Sequence, residues 1–159
     1  TADITDNGTG TGSIELVRSF VIPAVAAIRE IEGSVRGAFG NGRFEFALTN
    51  TSDEPVTLDG FGVEWTDPAA DRVAAQGNNP PLANDSDGTD LIDETIFIGD
   101  GVYDVIDGNE VVLEPDIAVD FEFRRFRDAD EKGIFVEDVD LFVRGGDGSS
   151  TVIELQGEE

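Results

Sequence analysis

The sequence has no cysteine, no histidine and no methionine. Without cysteine there are no disulfide staples and no thiol chemistry. Without histidine there are no Ser-His triads, no imidazole general bases and few routes to a transition-metal site. Lysine is nearly missing too: Lys132 is the only one among ten basic residues. Long apolar runs are also lacking, and an uncharged apolar stretch such as Ser19–Ile28 is far shorter than the roughly 20 residues a membrane helix needs. Thr1 stands where an initiator Met would, and residues 1–12 are polar and rich in Gly and Thr. Either an initiator Met was removed ahead of Thr1 or a leader was cleaved; a flexible, polar tail favours cleavage, and any membrane anchor is then expected in the removed segment.

What is present is a core and a great deal of negative charge. Hydrophobic residues make up 39% of the 159 positions and include eleven Phe, enough to bury a single core. Thirty-five Asp and Glu against ten Lys and Arg leave a formal charge of −25. At about 0.15 M salt the screening length is about 8 Å and such carboxylates repel; at about 1 M it falls to about 3 Å and they are largely screened. Scarce lysine fits the same setting, since its apolar stem adds sticky surface when salt strengthens hydrophobic association. The composition resembles that of proteins from halophilic archaea. Nucleic acid and anionic membranes are poor partners for this surface.

Periodicity of two dominates the chain. In Ser13–Ile22, Ile14, Leu16, Phe20 and Ile22 share a face that Arg18 interrupts, which favours a strand, although Ile14, Val17, Val21, Ala24, Ile28 and Ile31 also fall at helical steps. Pro23 then either ends that strand or opens a short helix over Ala24–Glu32, with Gly33 as its stop. Arg43–Asn50 places Phe44, Phe46 and Leu48 on one face. A breaker turn at Thr51–Pro55 leads to Val56 and Leu58 and, after Asp59-Gly60, to Phe61, Val63 and Trp65, which together read as a hairpin unit. Thr66–Asp93 reads as a long non-strand region, with one or two helical turns near Ala69–Ala75. Further strands are expected at Thr95–Ile98, Val102–Ile106, Glu110–Leu113, Asp116–Arg125 (with Ile117, Val119, Phe121 and Phe123 inward), Val139–Arg144 and Ser150–Leu155. Eight to ten short strands, with turns every eight to twelve residues, predict an all-β fold: an immunoglobulin-like or jelly-roll antiparallel sandwich over residues 13–159.

Three groups of residues stand out as candidate sites. Asp85, Asp87, Asp90, Asp93 and Glu94 gather oxygen ligands around Gly88, a composition suited to Ca²⁺ but without EF-hand spacing. Asn7, Asn50 and Asn84 head N-x-[ST] sequons in expected loops or tail and are candidate glycan acceptors. Arg124, Arg125 and Arg127 are the only basic concentration; they either pair with Asp128 and Asp130 or form a socket for an acidic neighbouring subunit. Paired carboxylates carry no catalytic signal in a chain with so many, and without His, Cys or a nucleophile elbow no enzyme is expected. No cofactor is required, with Ca²⁺ the one candidate.

The run Phe44-Glu45-Phe46-Ala47-Leu48-Thr49-Asn50-Thr51, followed by Val56-Thr57-Leu58 and by Asp147-Gly148-Ser149-Ser150 before the last strand, resembles haloarchaeal secreted and pilin-like ectodomains. That resemblance implies an extracellular structural subunit that self-associates into a surface filament. Residues 1–32 supply no long hydrophobic helix of the kind that forms a type IV pilin core. Assembly is instead expected through β-strand contacts, with residues 13–32 as an exchanged arm and Ile14, Leu16, Phe20, Ile22, Arg124 and Arg125 at the subunit interface. The competing expectations are a cell-surface binding or adhesion module working through the 66–93 segment, and a structural protein of a halophilic archaeal virus.

Overall fold

The computed structural model describes residues 22–37, 41–74 and 79–156. A 3-10 turn, Ala24–Ala27, precedes β1 (Ile28–Glu30), β2 (Arg36–Gly37), β3 (Phe44–Asn50) and β4 (Val56–Trp65). Then come β5 (Arg72–Val73), β6 (Leu82–Asn84), β7 (Thr89–Ile92), β8 (Ile96–Phe97), β9 (Val102–Asp104) and β10 (Val111–Leu113). The chain closes with β11 (Val119–Phe123), β12 (Phe126–Arg127), β13 (Asp138–Gly145) and β14 (Ser150–Gln156).

The strands form an all-β antiparallel sandwich. One sheet has the order β1-β3-β11-β6-β7, with β2 also on β3; the other is β10-β4-β13-β14, with β9 also on β4. A small third sheet, β12-β5-β8, caps one end. Among the described residues ten strands have three residues or more and four have only two, so the expected eight to ten matches the longer ones.

Alternation sends the phenyl rings inward. Phe44, Phe46 and Leu48 of β3 sit opposite Phe123, Phe121 and Val119 of β11, and all are buried. Phe46 stacks on Phe121 at 5.4 Å, and Phe61 of β4 meets Phe121 across the sandwich at 5.6 Å. Trp65 stands edge-on to Phe126 at 5.2 Å and donates its indole N–H to the Ala70 carbonyl, tying the small sheet to the end of the core. Each such ring contributes roughly 1.5–3 kcal/mol by burial.

Several sequence expectations change. The helix expected over Ala24–Glu32 is one 3-10 turn, after which Ile28–Glu30 pairs with β3. Val25 and Ile28 lie in the core, so this part of the arm expected over 13–32 packs into its own sandwich, while residues 13–21 lie outside the described residues. No hairpin joins β3 to β4: they belong to different sheets, and Thr51–Pro55 is the corner between them. Buried Asn50 builds that corner by donating to the Glu54 and Leu113 carbonyls (2.7 and 3.0 Å) and accepting from the Ser52 N–H and hydroxyl. Asp59-Gly60 does not interrupt β4. Asp59 is a bulge residue, since Gly60 faces Arg144 and Leu58 faces Gly145. The bulge resets the alternation so that Leu58 and Phe61 both point inward. The 66–93 segment is no open loop, because it carries β5, β6 and β7. Ile117 is 56% exposed: Asp116, with a left-handed φ of 59°, turns the chain just before β11 begins.

Candidate functional site

The acidic stretch expected to gather around a cation forms instead the β6–β7 hairpin. Asn84 Oδ1 accepts the Ser86 N–H (3.0 Å) and Asp87 Oδ1 accepts the Thr89 N–H (2.9 Å), so two side chains serve as turn braces. Asp85, Asp87, Asp90, Asp93 and Glu94 are all exposed along this hairpin and the segment after it. Among the described residues no three or more carboxylates are placed to hold a metal ion.

The sequons fare no better as acceptors. Asn50 is fully buried with its amide N–H groups committed to two carbonyls, and Asn84 is 7% exposed, so neither can take a glycan without opening the fold. Both sequons are read more simply as Asx corner chemistry. Asn7 lies outside the described residues.

Arg124 is paired within its own chain. Its guanidinium lies 3.2 Å from Glu122, which also holds Arg43 at 2.8 Å. Glu122 projects from the outer side of β11 directly opposite Glu45, yet is only 2% exposed beneath these arginines. Burial raises its pKa; Arg124 and Arg43 oppose that shift, while Asp85 and Glu45 add to it. Arg127 pairs with Glu131 rather than with Asp128 or Asp130. Glu131, with a left-handed φ of 67°, also takes Arg72, and the two guanidinium groups lower its pKa. Asp128 accepts the Asp130 and Lys132 N–H groups and shapes the loop. Arg125 is half-buried, and Ala74 N–H bonds to its carbonyl. The basic cluster is therefore largely occupied within its own chain.

Ile14, Leu16 and Phe20 lie outside the described residues, whereas Ile22 is 78% exposed. The chain passes from Ile22 through Pro23 into the 3-10 turn, whose Ala24 N–H meets Asp147 in the β13–β14 turn. Asp147 also accepts the Ser149 N–H and hydroxyl, which holds its pKa low.

Sequence reasoning placed the final strand but not its position in the sheet. β14 pairs with β13 over seven residues, Ser150 to Gln156, and among the described residues no strand covers its other edge. The edge carries neither Pro nor Lys, and its one charged residue is Glu154. Along its second half runs a groove of about 570 Å³ lined by Glu30, Glu32, Gly33, Val35, Glu137, Asp138, Glu154 and Gln156. Five of those residues are carboxylates and none is basic. A strand edge offers hydrogen-bonding backbone, and this groove offers negative charge beside it, so together they suit an extended peptide with a cation at one inward position.

The outer face of the same sheet has a second feature. Val102, Gly62, Phe142 and Val152 lie in register across β9, β4, β13 and β14, forming an apolar row. The row of Glu64, Asp140 and Glu154 flanks it on one side. On the other, Arg144 bonds Asp59 at 2.8 Å and Asp104 at 2.6 Å. Compared with known proteins, the chain matches no family model, no curated protein and no solved structure.

Proposed function

We propose that this chain is an extracellular structural subunit of a halophilic archaeal surface filament, assembled by β-strand contacts between copies. The edge of β14 carries the reading: a seven-residue strand with no partner on one side among the described residues is a template for another strand. Head-to-tail strand addition is a heterologous contact, which generates open filaments rather than closed dimers. The charge of −25 supports a high-salt environment, where like-charged copies approach each other at low electrostatic cost.

The apolar row on the outer sheet face supports a second reading, a surface adhesion module that presents Phe142 and Val152 to a partner. Electron microscopy and sedimentation of the full chain in molar salt separate the readings. Regular filaments are the expected result. Monodisperse monomers would overturn the filament and favour adhesion, and closed shells would favour a viral coat.

A further inference from the structure

We infer that the open edge of β14 and its acid-lined groove receive residues Ile14–Ile22 of a second copy, with Arg18 of the incoming segment as the charge that the groove selects. This inference rests on the filament reading and names the surface, the occupant and the selecting residue.

The lengths agree. Seven residues of β14 extend over about 24 Å and nine residues of the segment over about 30 Å at 3.4 Å per residue. The pattern agrees as well. Ile14, Leu16, Phe20 and Ile22 share one face, and the fifth position of that face is Arg18. An arginine in the middle of an apolar face is costly against a hydrophobic edge, but it is matched by a groove lined with Glu30, Glu32, Glu137, Asp138 and Glu154. Glu15 is the only acid in the segment and lies on its opposite face.

The occupant comes from another copy because of what the described end of the segment does. Ile22 is the last residue of that apolar face, and it is 78% exposed in its own chain. Its own molecule thus leaves Ile22 uncovered, and the next copy supplies the edge.

A charge-swap experiment on the full chain tests this. Arg18→Glu and Glu154→Arg are made separately, with Glu32→Arg as a second groove variant at an exposed position outside any strand. Polymer is read by sedimentation and light scattering at the lowest salt where the wild type is folded, and unfolding midpoints confirm that each variant folds. Each single variant is expected to raise the concentration needed for polymer by about tenfold or more, as for loss of a charge-assisted contact. A 1:1 mixture of Arg18→Glu with a groove variant should restore polymer, because each chain then supplies what the other lacks. Single variants that polymerise like the wild type would overturn the docking while leaving the filament intact. Defective variants that fail to rescue one another would reject pairing between copies through these charges. A wild type that stays monomeric at every concentration would overturn both the docking and the filament.

Discussion

Asn50 sits where one strand must leave its sheet for the other. Its amide donates to two carbonyls and its oxygen accepts from Ser52, so one side chain does what a short hairpin turn would do with backbone alone. Asn50→Ala leaves those buried groups unpaired, at about 1–3 kcal/mol each, and should lower stability by about 2–4 kcal/mol with an unchanged denaturant m-value. Asn50→Asp should be worse at pH 7 than at pH 4, because an ionised carboxylate would face two carbonyl oxygens; denaturant melts at both pH values check this. Glu122 gives a signed prediction of its own. Burial raises its folded-state pKa above the unfolded value, so its bound proton stabilises the fold at low pH. That contribution is lost as pH rises through the raised value. Glu131 and Asp147 have lowered values and slope the opposite way, being lost on acidification. Glu122→Gln removes only the Glu122 contribution. The stability of the variant relative to the wild type should therefore improve between pH 4 and pH 7, measured by parallel melts in constant salt. A difference that stays flat or reverses would show that the two arginines, not burial, dominate this carboxylate.

β4 shows how an element absorbs an irregular sequence. Val56 and Leu58 share one parity and Phe61, Val63 and Trp65 the other, and both sets are buried because Asp59 bulges out between them. Arg144 clamps the bulge by holding Asp59 and Asp104 together. Three residues on from Asp59, a Cβ at Gly62 would lie 2.5 Å from the Gly101 carbonyl oxygen, so the entry to β9 approaches this strand at a distance only glycine allows. Gly62→Ala should cost about 1–3 kcal/mol by this overpacking. Hydrogen exchange should locate the loss, with amides of Val102–Asp104 losing protection while those of Leu141–Val143 keep theirs.

The change of parity was visible in the sequence, and so were the long strands β3, β4, β11, β13 and β14, since alternating apolar side chains allow few other arrangements. What a strand pairs with was not visible. Thr51–Pro55 carries ordinary turn residues, and only the long-range bond from Asn50 to Leu113 shows that it joins two sheets. The acidic 84–94 segment has ligand-like composition, but hairpin bracing by Asn84 and Asp87 uses the same residue types. The candidate site suffered most from this limit. Glu30, Glu32, Glu137 and Glu154 come from three separate parts of the chain, and only the fold brings them beside one edge.

At the scale of the whole molecule the governing quantity is the charge of −25. The acids are placed where they do least harm to folding, on outward strand positions such as Glu45, Asp120, Glu64, Asp140 and Glu154, with the phenyl core beneath. At these positions placement spares the desolvation cost that Glu122 carries but not the mutual repulsion, which acts through solvent over a screening length of about 10 Å at 0.1 M salt and about 3 Å at 1 M. The unfolded chain spreads the same charge over a larger volume, so salt should stabilise the folded state more than the unfolded one. The unfolding midpoint should therefore climb steeply from 0.1 to 1 M NaCl and flatten beyond, where screening is nearly complete and only the slower strengthening of apolar burial continues. Replacing six of the outward acids by their amides should raise the low-salt midpoint and shrink the climb, leaving the high-salt plateau nearly unchanged. Thermal melts of both proteins across that salt series provide the measurement. A midpoint independent of salt, or an equal climb in the neutralised variant, would show that repulsion among surface carboxylates does not limit this fold.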